Sequence, residues 1–139
     1  MKVKDVMHKG ATWVETKTPV KKVAKMMRSE DIGAIPVGEK DRLVGMVTDR
    51  DICCRAIGNG LDIAKLSARD VMTKPIVYCK EDQDIQAAIR LMKKSKIRRL
   101  PVINAKKRLV GMLSLGDISS RAGATTSAGA LKALAAHHA

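Results

Sequence analysis

The chain has 139 residues, 45% of them hydrophobic and 29% charged, with 27 Lys and Arg against 14 Asp and Glu for a formal net charge of +13. This composition suits one compact module, contains no run approaching the roughly 18 apolar residues of a membrane span, and opens on charged residues, Met1 to Asp5, instead of a secretory leader, so a cytoplasmic protein without membrane association is expected. The excess of positive charge suggests an anionic partner, a nucleotide or a nucleic acid.

The first motif along the chain is Asp5-Val6-Met7. Val20, Val23, Ala24 and Met27 follow at i, i+3, i+4 and i+7, which predicts an amphipathic helix with one apolar stripe. Thr18-Pro19 offers that helix a cap and a proline at its first position. A short apolar segment ending in Pro36-Val37, a polar turn over Glu39 to Arg42 and the run Leu43 to Val47 read as a two-strand hairpin. A second helix is predicted from Asp49 to Ile57, closed by Gly58 and Gly60.

The same order then begins again. Asp5-Val6-Met7 returns as Asp70-Val71-Met72, Ile32 as Ile97 and Pro36-Val37 as Pro101-Val102, all at an offset of 65, and Trp13 falls opposite Tyr78. After one inserted residue, Arg42-Leu43-Val44-Gly45-Met46 matches Arg108-Leu109-Val110-Gly111-Met112, and Asp51-Ile52 with Arg55-Ala56 matches Asp117-Ile118 with Arg121-Ala122. The second helical stripe is Ile85, Ala88, Ile89 and Met92, started by Asp82 or Asp84, and the last helix of this half is predicted over Leu115 to Arg121. The layout is a first repeat over 1–60, a linker over 61–67, a second repeat over 68–122, and an Ala-rich tail over 123–139 expected as a marginal helix or a frayed end. Neither half is large enough to hold a core alone, so the expectation is an α/β fold in which two pseudo-twofold-related repeats of strand, helix, strand, strand, helix pack sheet to sheet.

Other chemistry is sparse. Cys53, Cys54 and Cys79 have neither the number nor the spacing of a disulfide framework or a zinc site, and no metal is expected. His137 and His138 form a pair that a metal would accept, but adjacent histidines near a chain end are commonly incidental. No Ser or Cys stands at motif spacing from a His and an acid, so no catalytic residue is assigned and the chain reads as a non-enzyme. With Trp13 and Tyr78 as the sole aromatics there is no evident platform for stacking single-stranded bases.

The repeated strings Asp-Val-Met, Pro-Val, Leu43-Val44-Gly45-Met46-Val47-Thr48-Asp49-Arg50-Asp51 and Leu109-Val110-Gly111-Met112-Leu113-Ser114-Leu115-Gly116-Asp117 resemble the CBS (cystathionine β-synthase-like) domain, and the pair resembles the tandem arrangement called a Bateman module. The resemblance implies a regulatory module that binds an adenosine-containing nucleotide (AMP, ADP, ATP or a related compound) in clefts between the repeats, with no covalent cofactor. It implies that Thr48 and Ser114 lie near phosphate and that Asp51 and Asp117 hold the ribose. It places Arg50, Arg98 and Arg99 toward phosphate, and Pro36, Pro101, Ala11 and Ile76 around the ligand. A homodimer and an unidentified protein target are implied in the same way. The residue chemistry agrees, since a carboxylate accepts both hydroxyl protons of a ribose diol and a guanidinium offers a planar fork to phosphate oxygens. The plainer reading of Thr48, Asp49 and Ser114 is helix capping.

The halves differ where phosphate chemistry would matter, because Gly33-Ala34 in the first repeat faces Arg98-Arg99 in the second. Basic residues concentrate in the second repeat, at Lys93-Lys94, Lys96, Arg98-Arg99 and Lys106-Lys107-Arg108. That concentration supports an alternative, a nucleic-acid-binding protein using this basic face, although no recognised reading motif accompanies it. A third possibility is a separate regulatory subunit of an enzyme, such as inosine monophosphate dehydrogenase, or of a transporter.

Overall fold

The computed structural model of the chain describes residues 1–135. Its elements run α1 (Val3–Val6), β1 (His8–Lys9), β2 (Val14–Glu15), α2 (Val20–Glu30), β3 (Ala34–Glu39), β4 (Arg42–Thr48) and α3 (Asp49–Asp51), which continues directly into a π-helical stretch, Ile52–Ile57. The second half has α4 (Ala68–Val71), β5 (Cys79–Lys80), α5 (Ile85–Ser95), β6 (Arg99–Ile103), β7 (Leu109–Ser114) and α6 (Leu115–Arg121), and adds α7 (Ala124–Ala135). This is the mixed α/β class, and no helix among the described residues is long and apolar enough to cross a membrane.

The helical stripes face the core as their spacing predicts, Val20, Val23 and Met27 buried on α2 with Ala24 partly buried beside them, and Ile85, Ala88, Ile89 and Met92 buried on α5. The cap of α2 differs from the sequence reading. Pro19 itself occupies the N-cap, with no side-chain cap bond, while the Thr18 carbonyl accepts the amide of Ala68. At α5 the Asp84 carboxylate does accept the Gln86 amide, at 2.8 Å. The first hairpin turns on Lys40 and Asp41, both left-handed (φ 50° and 61°), the two-residue geometry that matches strand twist.

The chain divides into two compact units that cut across the sequence repeats: Thr12–Ile76, and Met1–Ala11 together with the chain from Val77 onward. In the first unit β2, β3 and β4 form a three-stranded sheet, and α4, from the start of the second repeat, closes the core with Ala68, Val71 and Met72. The Val20 amide bonds the Leu66 carbonyl at 2.9 Å, and Met46 and Thr73 exchange main-chain bonds. In the second unit the sheet order is β1-β7-β6-β5, and α1, from the start of the first repeat, supplies Val3, Val6 and Met7 to the core. The Val3 amide bonds the Gln83 carbonyl at 2.9 Å and the Ile85 amide bonds the Met1 carbonyl at 3.0 Å.

This exchange explains the Asp-Val-Met motif physically. Each Asp takes a main-chain amide at the head of a four-residue helix, Asp5 from Lys2 at 2.9 Å and Asp70 from Ser67 at 2.8 Å. Each Val is fully buried and each Met nearly so. The Met then lies over the glycine of Leu-Val-Gly-Met in the same unit, Met7 over Gly111 and Met72 over Gly45. The sequence reading contains neither α1 nor α4, because four residues are too few to show a period.

The Ala-rich tail is a twelve-residue helix, α7, and not a frayed end over its described length. Ala130 and Leu134 are buried with the α5 and α6 side chains, and the Ser127 hydroxyl donates to the Ile118 carbonyl at 2.9 Å. Tertiary packing supplies what weak local propensity does not.

One surface ion pair gives a pH prediction. Arg69 Nη2 lies 2.5 Å from Glu39 Oε1, with the Thr16 hydroxyl at 3.2 Å, and the bond from Arg69 holds the Glu39 carboxyl below its ordinary range. A depressed carboxyl contributes stability above its unfolded value and loses it as pH falls through the folded one. Arg69→Gln should therefore lower the unfolding temperature slightly at pH 7 and not at all near pH 2. Thermal melts at the two pH values check this, and an equal effect at both would assign Arg69 a packing role instead.

Candidate functional site

The two strand-to-helix turns, β4 into α3 and β7 into α6, are built alike. Thr48 and Ser114 have extended backbones and cap the helices, each hydroxyl accepting an amide three residues on, from Asp51 and Asp117, at 3.1 Å. The Asp returns the bond, Asp51 Oδ2 accepting the Thr48 amide and Asp117 Oδ2 the Ser114 amide, each at 2.9 Å. Neighbouring strands fix the turn as well: Ala34 pairs with Thr48 and Arg99 with Ser114, while the Gly33 carbonyl accepts the Asp49 amide and the Arg98 carbonyl accepts the Leu115 amide. The repeated hydroxyl-x-x-Asp spacing is thus a reciprocal capping box in both halves.

The two carboxylates differ in what else they hold. Asp51 is buried, at 8% exposure; Thr73 Oγ1 donates to it at 3.2 Å from Oδ1 and 3.4 Å from Oδ2, and Arg55 Nε lies 3.6 Å from Oδ1. Asp117 is half-buried; its Oδ2 also takes the Ser114 hydroxyl at 2.9 Å, and its Oδ1 takes no hydrogen bond among the described residues. His8 stands in the repeat where Thr73 does, and Arg121 where Arg55 does. Arg121 braces the carbonyl of Met7 at 2.9 Å, as Arg55 braces that of Met72 at 3.0 Å, but Arg121 makes no ion pair with Asp117. Sequence reasoning registered the Arg55/Arg121 identity without a role and passed over Thr73, which reaches Asp51 from 22 positions away.

The remaining sequence-assigned residues divide by unit. Thr48, Arg50, Asp51, Pro36 and Ile76 lie in Thr12–Ile76, and Ser114, Asp117, Arg98, Arg99, Pro101 and Ala11 lie in the other. Arg50, Arg98 and Arg99 are exposed, Pro36 and Pro101 are buried on the strands opposite Met46 and Met112, and Ala11 and Ile76 are half-buried. The basic run of the second repeat is split by the hairpin. Lys93, Lys94, Lys96, Arg98 and Arg99 sit where α5 ends and β6 begins, while Lys106, Lys107 and Arg108 sit past its far end, with about 13 Å of strand between. Lysines at the end of α5 also offset its dipole, the plainer account of Lys93 and Lys94.

Among the described residues no three His, Cys, Asp or Glu side chains gather in a way that would hold a metal ion. His137 and His138 lie outside the described residues. Cys53 and Cys54 are exposed, whereas burial pushes the Cys79 thiol up to about 12, leaving it inert at neutral pH.

The geometry can be set beside known proteins. The CBS domain family model matches residues 3–56 and 68–123. Hypoxic response protein 1 of Mycobacterium tuberculosis (strain ATCC 25618 / H37Rv) is 38% identical over 117 residues, 84% of this chain and 81% of that protein. A crystal structure of Hypoxic Response Protein I with two coordinated zinc ions is similar at a TM-score of 0.79 and 35% identity, over 88% of this chain and 100% of that one. The CBS domain pair of protein MJ0100, in complex with 5′-methylthioadenosine and S-adenosyl-L-methionine, is similar at a TM-score of 0.77 and 26% identity, over 86% of this chain and 94% of that one.

Proposed function

The chain belongs to the CBS domain family, with two copies of the domain in tandem, and on that premise we propose that it is a non-catalytic regulatory module that receives an adenosine-containing nucleotide such as AMP, ADP or ATP at a strand-to-helix turn. The observation that carries the reading is Asp117, a carboxylate fixed through one oxygen by its own cap, with the other oxygen taking no hydrogen bond among the described residues, on a turn whose main chain pairs with that of the exposed Arg98 and Arg99. A ribose diol donates two hydroxyl protons to such a group, and Arg98 supplies the charge that a phosphate needs. The adenosine compounds bound by the MJ0100 pair support this ligand class. The reading includes a homodimer, for which exposed Ile57, Leu61 and Leu131 offer apolar surface, and a protein target that senses ligand state. A nucleic-acid role is the weaker reading, because the basic residues form two separate groups instead of one track.

The test is titration calorimetry on the wild type and on Arg98→Ala/Arg99→Ala. The double variant should lose roughly tenfold or more in ATP affinity and little in adenosine affinity, since a guanidinium meets phosphate and not the nucleoside. Added salt should reproduce part of the loss, charge pairs being screened over about 8 Å at physiological ionic strength. Equal losses for ATP and adenosine would remove the arginines from the phosphate site.

A further inference from the structure

The two turns are related by the repeat and share one capping design, yet their carboxylates stand in different states. We infer that the pair has divided the work: Asp117 accepts the nucleoside, and Asp51 is a structural latch, closed by Thr73 and Arg55, that holds the segment after Asp70-Val71-Met72 against its own unit. The inference rests on the adenosine reading above and names which of the two turns serves it.

Acceptor capacity decides the matter. A carboxylate must present free lone pairs, at an accessible oxygen, to bind a diol. In Asp51 one oxygen takes the Thr48 amide, both lie within reach of the Thr73 hydroxyl, and Arg55 sits beside Oδ1. A ribose arriving there would have to displace Thr73 and approach a residue already 92% removed from solvent, given its 8% exposure. In Asp117 both local bonds from Ser114 go to Oδ2, so Oδ1 is left with its full acceptor capacity among the described residues, on a half-buried side chain. The difference traces to one position in the repeat, Thr73 against His8, and to the guanidinium of Arg121, which among the described residues serves the main-chain carbonyls of Val6 and Met7.

The Asp51 contacts have a separate purpose. Thr73 also exchanges main-chain bonds with Met46 on β4, at 2.8 and 3.1 Å, and Arg55 donates to the Met72 carbonyl. Asp51 therefore ties the far side of β4 to the segment that follows α4, through a hydroxyl and a guanidinium at once. Loss of that carboxylate leaves the Thr73 hydroxyl without its acceptor and the Arg55 guanidinium without its ion-pair partner.

Calorimetry with adenosine and AMP, paired with thermal unfolding, separates the roles in the intact chain. Asparagine keeps one capping oxygen but turns an amide toward the diol, so Asp117→Asn should lose ten- to a hundredfold in affinity with a small change in unfolding temperature. Asp51→Asn should lower the unfolding temperature clearly and leave affinity within about twofold. Thr73→Val, which removes only the hydroxyl, should do the same and keeps the test decisive if Asp51→Asn does not fold. Losses of affinity in Asp51→Asn or Thr73→Val equal to that in Asp117→Asn would overturn the division of roles alone. A wild-type chain that binds neither compound would overturn the adenosine reading itself, and that outcome is visible before any variant is made.

Discussion

A chain lacking Met1–Ala11 is expected to lose the structure of its distant half, from Val77 onward, while Thr12–Ile76 keeps its own. Val3 and Val6 are fully buried and Met7 is 6% exposed, all against Ile85, Ile89, Leu113 and Ile118. At about 1.5 to 3 kcal/mol for each buried side chain, these three contribute roughly 6 kcal/mol, a large share of the 5 to 15 kcal/mol that holds a typical domain. The deletion also removes β1 from the edge of β7 and the bonds from Val3 and Lys4 to Gln83 and Glu81. Hydrogen exchange read by mass spectrometry should find protection lost in α5, β6 and β7 and retained in α2, β3 and β4. Loss confined to the residues that follow the deletion in sequence would refute the exchanged packing.

Gly111→Ala is expected to cost about 3 kcal/mol, the upper end of ordinary overpacking, and more than the repeat-related Gly45→Ala. A Cβ on Gly111 would overlap the carbonyl oxygen of His8 and meet the Met7 sulfur at 3.1 Å. The main chain there is pinned, because Lys9 pairs with Gly111 and the Gly10 amide bonds the Val110 carbonyl at 2.8 Å. At Gly45 the tightest neighbour is the Met72 sulfur at 2.7 Å, near the end of a flexible side chain, with the Thr73 carbonyl oxygen at 3.0 Å. The sulfur can move where the His8 carbonyl cannot. Urea unfolding of both variants checks the order, and a Gly111→Ala change within about 0.5 kcal/mol of the parent would mean that β1 does not lie on β7.

Much of the candidate site was legible before any coordinates. The hydroxyl-x-x-Asp spacing is local, spans one helical turn, and recurs, so the capping geometry of Thr48–Asp51 and Ser114–Asp117 could be anticipated from the residues alone. The placement of Arg99 opposite Ser114 follows from a hairpin closed by the polar turn between β6 and β7, with one register shift at Val102 and Ile103. What could not be read was the different occupancy of the two carboxylates. It depends on Thr73, 22 residues from Asp51, and no periodicity links the two. The same limit left the tail open between a marginal helix and a frayed end, because the burial of Ala130 and Leu134 that holds the helix over Ala124–Ala135 depends on α5 and α6.

By itself, then, the sequence determined the twofold repeat, the stripes of α2 and α5, the two hairpins and the capped turns, because each of these is written within a few residues as spacing, turn chemistry or duplication. The tertiary structure alone decided which segment completes which core. Asp5-Val6-Met7 and Asp70-Val71-Met72 are the same string, and each could in principle pack in either half. That Val6 lies with Ile118, and Val71 with Val47, is settled by long-range burial and by the glycine that each Met covers. Local energetics are almost degenerate between the two arrangements, and only the closed core distinguishes them.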